Sequence, residues 1–283
     1  MGDGRWEVKS RRGKENNMMR YNPLQIFQGS KSPAGLYARA KWLHESETSA
    51  WQNDFSATVA SFMDGQKVDG SWPPSAEETL RRLFGLHLTI RERTKPVDQA
   101  LAWLIQEISA HHPAQMYADD WPDGAFQAMP FVKARQPLTL ICETLFLACV
   151  FGLAQDAPIE KYYQWLIRWL DDCADKPDIW PEKINALRAL IVHPVYAQNP
   201  RTLQLVDDLA KTQMDSGLWP APIPFFLTVN ALAHLDVASA HRQWLKALPL
   251  LSVTQKKNGS WGHQHAEWNT FLIVHALKNK QSL

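Results

Sequence analysis

One seven-residue pattern, Gln-x-x-x-Gly-x-Trp, occurs three times and strongly limits what this chain can fold into. The copies occupy residues 66–72, 213–219 and 255–261 and read QKVDGSW, QMDSGLW and QKKNGSW. Glycine accepts the left-handed conformation that ends a helix. A tryptophan beyond it can cover the helix end with apolar surface while its N–H finds an acceptor. Three copies of one helix-closing device predict a repeated helical unit.

This pattern resembles the repeat of squalene–hopene cyclases and their relatives, which include the β subunits of protein prenyltransferases. The resemblance implies an all-α, (α/α)6-type toroid, in which an inner ring of helices surrounds a central cavity and an outer ring encloses it. It covers residues 21–283, predicted to form a single toroid domain of about eleven to twelve helices. It also implies structural roles for the Gln and Trp of the motif. Toroids of this kind include cyclases, transferases and non-enzymes, so the resemblance specifies the fold and leaves the activity open.

The apolar residues recur mainly at helical spacing, and no segment gives a convincing strand pattern. Alternate helices are predicted to form the inner ring. Repeated Ala-Leu pairs near the ends of three of them support this grouping, because small residues let helices crowd around a ring. The predicted inner helices span residues 33–44, 76–92, 138–154, 182–192, 225–235 and 268–278.

Composition excludes some classes of protein. The chain has 283 residues, of which 45% are hydrophobic, and this suits one large domain. A net charge of +1 gives no electrostatic case for nucleic acid binding. Three cysteines without a Cys-x-x-Cys pair favour a reduced, cytoplasmic protein. We expect a monomer.

The first twenty residues are predicted to lie outside the toroid. Residues 1–17 are rich in Gly, Arg and Lys and contain no apolar run, which excludes a secretory signal. Residues 1–20 are therefore interpreted as a disordered tail or a cloning remnant. Arg11, Arg12 and Lys14 leave open a peripheral contact with a membrane surface.

The segment after Trp72 supplies the first candidate acid. Cyclases that resemble this chain carry Asp-x-Asp-Asp-Thr there and use it to protonate an alkene or epoxide, but this sequence has no Asp-x-Asp-Asp. It has Ser75-Ala-Glu77-Glu78-Thr instead. Paired carboxylates can split their pKa values so that one keeps its proton, and we expect Glu78 to point inward. Alternatively, Ser75 and Glu78 form a capping box at a helix start.

Glu143 is the second candidate acid. It follows Cys142 in the most apolar segment of the chain, residues 138–154. Burying a lone carboxylate there is costly, so Glu143 either faces the cavity or pairs with a cation. Two separated carboxylates, such as Glu78 and Glu143, would also suit a carbohydrate-active toroid.

The sequence requires no cofactor, although two clusters could hold a divalent metal. Asp119, Asp120 and Asp123 lie in one loop, but their spacing matches no known diphosphate-binding motif, and surface turn residues are the alternative. His263, His265 and Glu267 alternate in a short segment and could ligate zinc, with solvated loop residues as the alternative.

Three functions remain open from the sequence. The first is an enzyme, a terpene cyclase or prenyltransferase, that binds or transforms an isoprenoid or another apolar small molecule in an aromatic-lined cavity. The second is a non-catalytic binding toroid that has lost its acid motif, and the third is the carbohydrate-active enzyme. Whether the protein is an enzyme is left undecided. The candidate substrate-binding residues are Tyr37, Phe84, His87, Phe225, Phe226, Trp268 and Phe271.

Overall fold

The computed structural model of the protein describes residues 19–110, 128–134, 138–174, 176, 178–281 and 283. Within these ranges all regular secondary structure is helical, as predicted, with eleven α-helices and two short 3-10 helices at Pro23–Phe27 and Tyr196–Gln198. The α-helices are α1 (Pro33–Lys41), α2 (Ser49–Met63), α3 (Ala76–Thr89), α4 (Lys95–Ala110), α5 (Leu138–Val150), α6 (Ala157–Asp172), α7 (Trp180–Ile191), α8 (Pro200–Thr212), α9 (Phe225–Ala233), α10 (Ala238–Thr254) and α11 (Ala266–Asn279).

The odd-numbered helices form a closed inner ring. Each packs against the next in the order α1, α3, α5, α7, α9 and α11, and α11 packs against α1. The even-numbered helices pack on the outside of this ring, with α8 contacting both α6 and α10. The six helices of the ring correspond to the six segments that were predicted to be inner, so that grouping is confirmed.

Helix composition explains which helices lie inside. Nearly every side chain of α5 and α7 is buried, because these helices have neighbours on several sides. In α4, by contrast, the buried residues are Val97, Ala100, Leu101, Leu104 and Ile108, which form one stripe at helical spacing. Such a stripe covers the inner ring while the opposite face remains in water.

The three Gln-x-x-x-Gly-x-Trp segments share one geometry, in which the glutamine amide joins successive outer elements. Each Nε2 donates to the carbonyl of the glycine four residues later in its own segment. It also donates across the gap, from Gln66 to Pro96 O in α4 and from Gln213 to Gln243 O in α10. Gln255 donates to Tyr21 O in the same way, which ties the last outer helix to the first described segment. The segments therefore link the outer elements around the ring.

The tryptophans of these segments hold helix ends, as predicted from their position. The indole Nε1 of Trp219 donates to Leu209 O of α8, and that of Trp261 donates to Leu251 O of α10. The glycines differ from the prediction, because the helices end before them. Gly217 lies in a turn beyond α8 with φ +87°, and a Cβ there would be 2.2 Å from Lys246 O. Close approach to the next helix, together with positive φ, explains the glycine.

The predicted tail falls largely outside the described residues, which begin at Met19. Met19 is buried, and Tyr21 exchanges two hydrogen bonds with the Gln255 side chain. Asp119, Asp120 and Asp123 also lie outside the described residues. In the part of the chain that the structure describes, no helix has the length and apolar character needed to cross a membrane.

Candidate functional site

A cavity of about 240 Å³ lies at the centre of the inner ring, and each of the six inner helices contributes to its wall. In α3, α5, α7 and α9 the contributing residues come from the C-terminal half or the residues just after it, so the cavity lies toward that end of the ring. Its walls are formed by Tyr37, Phe84, His87, Leu88, Arg91, Pro130, Phe146, Val150, Arg188, Ile191, Val192, Asn230, His234, Trp268, Phe271, Leu272 and His275.

Most of the residues that the sequence proposed for substrate binding are brought together here. Tyr37, Phe84, His87, Trp268 and Phe271 all line the cavity. Phe225 and Phe226 do not line it. They begin α9, and Phe225 packs toward the Trp219 indole, with ring centroids 6.0 Å apart.

Aromatic rings cover much of the cavity wall. Trp268 stacks on Phe271 with centroids 5.2 Å apart, and meets Phe84 edge-on at 5.8 Å. Phe146 packs beside Phe84 at 6.1 Å. The indole N–H of Trp268 donates to Met129 O, so its ring is fixed against the segment that precedes α5. This wall is apolar and presents ring faces and edges at defined angles.

Arg188 is a polar residue of the cavity that sequence reasoning missed. It is 5% exposed, and its Nη1 donates to Asn230 Oδ1 at 2.6 Å. The Asn230 amide donates in turn to Leu272 O at 2.8 Å, so the chain of bonds joins α7, α9 and α11. The Arg188 Nε has no hydrogen-bond partner among the described residues. Burial lowers the pKa of Arg188 to about 10, which still leaves it charged at neutral pH.

Three histidines of the cavity are neutral at physiological pH. Burial, and next the charge of Arg91, lowers the pKa of His87 to about 4. Burial, and next the charge of Arg188, lowers the pKa of His275 to about 4 and that of His234 to about 3. Each imidazole therefore offers one N–H donor and one acceptor to whatever occupies the cavity.

Glu143 is the most strongly perturbed carboxyl group near the cavity. It lies three residues before Phe146, on the same face of α5, and is 1% exposed. Its Oε1 has no hydrogen-bond partner among the described residues. Burial, and next the charge of Glu77 on α3, raises the pKa of Glu143 well above its usual range. Burial thus favours the protonated form of this carboxyl group, and none of the described residues forms an ion pair with it.

Glu78 has the opposite environment. It receives hydrogen bonds from Arg81 and Arg82, at 2.7 Å and 2.6 Å. Burial alone would raise the pKa of Glu78, but these two guanidinium groups outweigh burial and lower it. The capping box proposed for Ser75 and Glu78 does not form, since the Ser75 side chain makes no cap bond. The two guanidinium groups therefore favour the ionised form of Glu78, and this does not suit a proton donor, which has to carry a proton.

The two carboxyl groups that influence each other in the structure are not the two that were proposed from the sequence. Glu77 and Glu78 were proposed as the pair because they are neighbours in the first turn of α3. In the fold, Glu77 instead influences Glu143 on the adjacent inner helix. The packing of α3 against α5 brings these two residues near each other, and no spacing in the sequence reports it.

The zinc interpretation of His263, His265 and Glu267 is not supported by the geometry. No cluster of three or more His, Cys, Asp or Glu side chains with metal-binding geometry occurs in the described ranges. Glu267 instead accepts hydrogen bonds from Ser30 and from Ser32, the N-cap of α1, and so joins α11 to α1. His263 and His265 are exposed.

A second cavity of about 450 Å³ lies beside the first, toward the N-terminal ends of α1 and α11. Ser32, Arg81 and Glu267 are among the residues that line this outer cleft. It shares Phe84, Leu88 and Trp268 with the central cavity, so these three side chains separate the two spaces. The outer cleft is larger, but the perturbed groups belong to the central cavity or the inner helices beside it.

Comparisons with known proteins identify a fold only. No protein-family model matches the chain, and no curated protein matches it. A protein from Actinoplanes of solved structure is 17% identical, with a TM-score of 0.55 over 90% of each chain. Two structures of variants of the type II terpene cyclase MstE from Scytonema, each with the substrate geranylgeranyl dihydroxybenzoate, are 12% and 14% identical. Their TM-scores are 0.54 and 0.53, and the matches cover 92% of this chain and 88% and 87% of theirs. The fold therefore resembles the toroid of a type II terpene cyclase.

Proposed function

We propose that the central cavity binds an isoprenoid chain and that Glu143 donates a proton to an alkene of that chain to start a cyclisation. The observation that carries this proposal is a buried carboxyl group, that of Glu143, whose burial raises its pKa and which lies on α5 three residues before Phe146, a residue of the aromatic cavity wall. A neutral carboxylic acid in an apolar setting is a general acid of the kind that alkene protonation requires.

The reaction that follows is balanced without a cofactor. The proton of Glu143 forms a C–H bond with one alkene carbon, and the other carbon becomes a carbocation. A second alkene closes a ring on that cation, a neutral imidazole of the cavity such as that of His275 accepts a proton from a neighbouring carbon, and exchange with solvent returns a proton to the Glu143 carboxylate. The product is an isomer of the substrate. The rings of Phe84, Phe146 and Trp268 can stabilise the cationic intermediates through their negative faces.

The cavity suits the isoprenoid proposal better than the carbohydrate alternative. The two carboxyl groups of that alternative, Glu78 and Glu143, have opposite pKa shifts, but Glu78 is held in an ion pair with Arg81 and Arg82. The central wall is mainly apolar, whereas a sugar requires many hydrogen-bonding groups. Among isoprenoids, a cavity of about 240 Å³ favours geranyl and farnesyl chains over longer ones.

Binding is tested by mixing the protein with geraniol and farnesol and following intrinsic tryptophan fluorescence, since Trp268 lines the cavity. Leu272→Trp should fill the cavity and weaken binding at least tenfold. Leu245→Trp is the matched control, because Leu245 is 50% exposed on α10 and should leave binding unchanged. Equal binding by both variants would overturn the assignment of the cavity.

Catalysis is tested separately from binding. Glu143→Gln should bind the chain with an unchanged dissociation constant and form no cyclic product, whereas Glu78→Gln should keep the activity of the unaltered protein. Binding without turnover by the unaltered protein, across geranyl and farnesyl substrates, would favour the non-catalytic binding toroid instead.

A further inference from the structure

In the part of the chain that the structure describes, the buried positive charge at the C-terminal end of the central cavity, that of Arg188, has no negative partner. Among the described residues, the only hydrogen-bond partner of the Arg188 side chain is the neutral amide oxygen of Asn230. Glu143 does not pair with it, since the Arg188 side chain bonds Asn230 and the Glu143 Oε1 has no hydrogen-bond partner among the described residues. None of the described residues that line the cavity is an aspartate or a glutamate.

Such a charge is expensive to maintain. Removing a guanidinium group from water costs several kcal/mol unless a counter-charge or a full set of acceptors replaces the water. Arginine can donate five N–H bonds in a planar fork, and Arg188 leaves its Nε unused. A leucine at this position would pack against Phe146 without that cost, so packing alone does not account for the arginine.

The other polar groups of this end of the cavity are a second guanidinium group and three imidazoles. Arg91 lies at the rim, with its Cζ 4.5 Å from the centroid of the Tyr37 ring. His234 and His275 face each other with ring centroids 5.1 Å apart, and His87 lines the wall contributed by α3. Neutral imidazoles can each donate one N–H bond to an oxygen. Two guanidinium groups and three imidazoles without a carboxylate form a site for an oxyanion.

We propose that this group of residues binds the anionic head of the substrate, a carboxylate or a phosphate, with Arg188 as its main contact. The proposal rests on the proposed isoprenoid function and adds the chemistry of the head group and the direction of the chain. The head lies at the C-terminal end of the inner ring. The chain then extends toward Glu143, which lies one turn of α5 nearer the N-terminal end than Phe146.

Asn230 is a positioning residue in this site. Its amide group accepts from Arg188 and donates to Leu272 O, so it fixes the guanidinium plane relative to α9 and α11. Its replacement by aspartate would supply the missing negative charge within the protein. Asn230→Asp should therefore stabilise the ligand-free protein and compete with an anionic ligand.

The experiment compares farnesol, farnesoic acid and farnesyl phosphate, which share a chain and differ in the head. The unaltered protein should bind at least one anion tenfold or more tightly than the alcohol, and the preferred anion identifies the head as carboxylate or phosphate. Arg188→Gln should lose this preference, so that the alcohol and the anions bind it with similar affinity, while Arg188→Lys should keep part of the preference. Arg201→Gln is the matched control, because Arg201 pairs with Asp171 at the outer ring.

Two results obtained with the unaltered protein alone keep the test independent of whether Arg188→Gln folds. In the unaltered protein, a bound anion should raise the pKa of His275 in a histidine NMR titration, because it offsets the charge of Arg188. Equal affinity for the alcohol and both anions in the unaltered protein would overturn the anion site while leaving the isoprenoid function intact.

If no farnesyl compound binds, the proposed function fails, and inorganic phosphate and acetate then test the anion site alone. A rise in the melting temperature of the unaltered protein that Arg188→Gln does not show would support the site. The absence of such a rise would overturn it.

Discussion

Replacing Glu143 by glutamine should stabilise the protein at neutral pH. The substitution keeps the size and shape of the side chain and removes its ability to ionise. Burial and the charge of Glu77 raise the pKa of Glu143 in the fold, so the folded protein holds a proton that the unfolded chain releases above a pKa of about 4.5. The wild-type protein therefore loses stability as the pH rises above that value, and Glu143→Gln does not.

The size of this effect follows from the retained proton. Each pH unit over which the folded protein keeps a proton that the unfolded chain has lost costs about 1.4 kcal/mol. The glutamine amide introduces a second donor N–H into an apolar site, which costs about 1 kcal/mol. We therefore expect Glu143→Gln to be less stable than wild type by about 1 kcal/mol at pH 4.5, and to gain about 1.4 kcal/mol relative to wild type with each further pH unit over which Glu143 keeps its proton in the fold.

The measurement is urea denaturation of both proteins at several values between pH 4.5 and 8. Glu78→Gln is the matched control, since its carboxylate is held ionised by Arg81 and Arg82. A carboxyl group whose pKa is lowered by folding stabilises the folded protein at pH values above its pKa in the unfolded chain. Glu78→Gln should therefore be less stable than wild type at pH 7, by about 1 kcal/mol. A Glu143→Gln variant that is less stable than wild type by the same amount at every pH would refute a protonated Glu143.

The remaining predictions concern the fold and its response to acid. Trp219→Ala should cost on the order of 3–5 kcal/mol in urea denaturation without weakening farnesol binding, because its indole holds the end of α8; an unchanged stability with lost binding would contradict this role. Gly217→Ala should cost at least twice as much as Gly65→Ala, since both have positive φ but only Gly217 lies against a carbonyl; equal melting temperatures would count against the close contact. A fragment of residues 1–220 should aggregate because it lacks the helices that close the ring, and a cooperative melt would instead indicate two domains. His87 and His275 are neutral in the fold, with pKa values of about 4, so each should lower the stability of the protein by on the order of 2–4 kcal/mol as the pH falls from 6.5 to 4; replacing either histidine by glutamine should make this loss of stability smaller.

Local patterns in the sequence predicted the fold well. The three Gln-x-x-x-Gly-x-Trp segments predicted repeated helices, because in each copy the glutamine side chain bonds the glycine carbonyl of its own segment and the tryptophan bonds the end of the helix just before it. The inner helices were also predictable, since a helix with neighbours on several sides is apolar on several faces. The helices that precede Gly70, Gly217 and Gly259 end earlier than predicted. Each of these glycines lies against a backbone carbonyl of a neighbouring segment, and this contact, rather than the end of its own helix, requires the glycine.

The candidate site was predicted less completely, and the reason is physical. Aromatic residues on inner helices were expected at the cavity, and most line it, but Phe225 lies too near the start of α9 to reach the C-terminal end. The pairing of Glu77 with Glu143 and the contact of Arg188 with Asn230 both cross between helices, so no spacing along the chain encodes them. Arg188 is the one charged residue in the otherwise apolar stretch 186–191 at the end of α7, and that signal could have identified it.

The most direct test of the proposed chemistry is the incorporation of deuterium during turnover in D₂O. The Glu143 carboxyl group exchanges its proton with the solvent, so the initiating step should place one deuteron on a carbon of the product. Mass spectrometry of a cyclic product formed from a geranyl or farnesyl substrate should then show one added deuterium per molecule, and Glu143→Gln should form no product. A cyclic product without deuterium, or one that Glu143→Gln forms at the wild-type rate, would contradict protonation by Glu143.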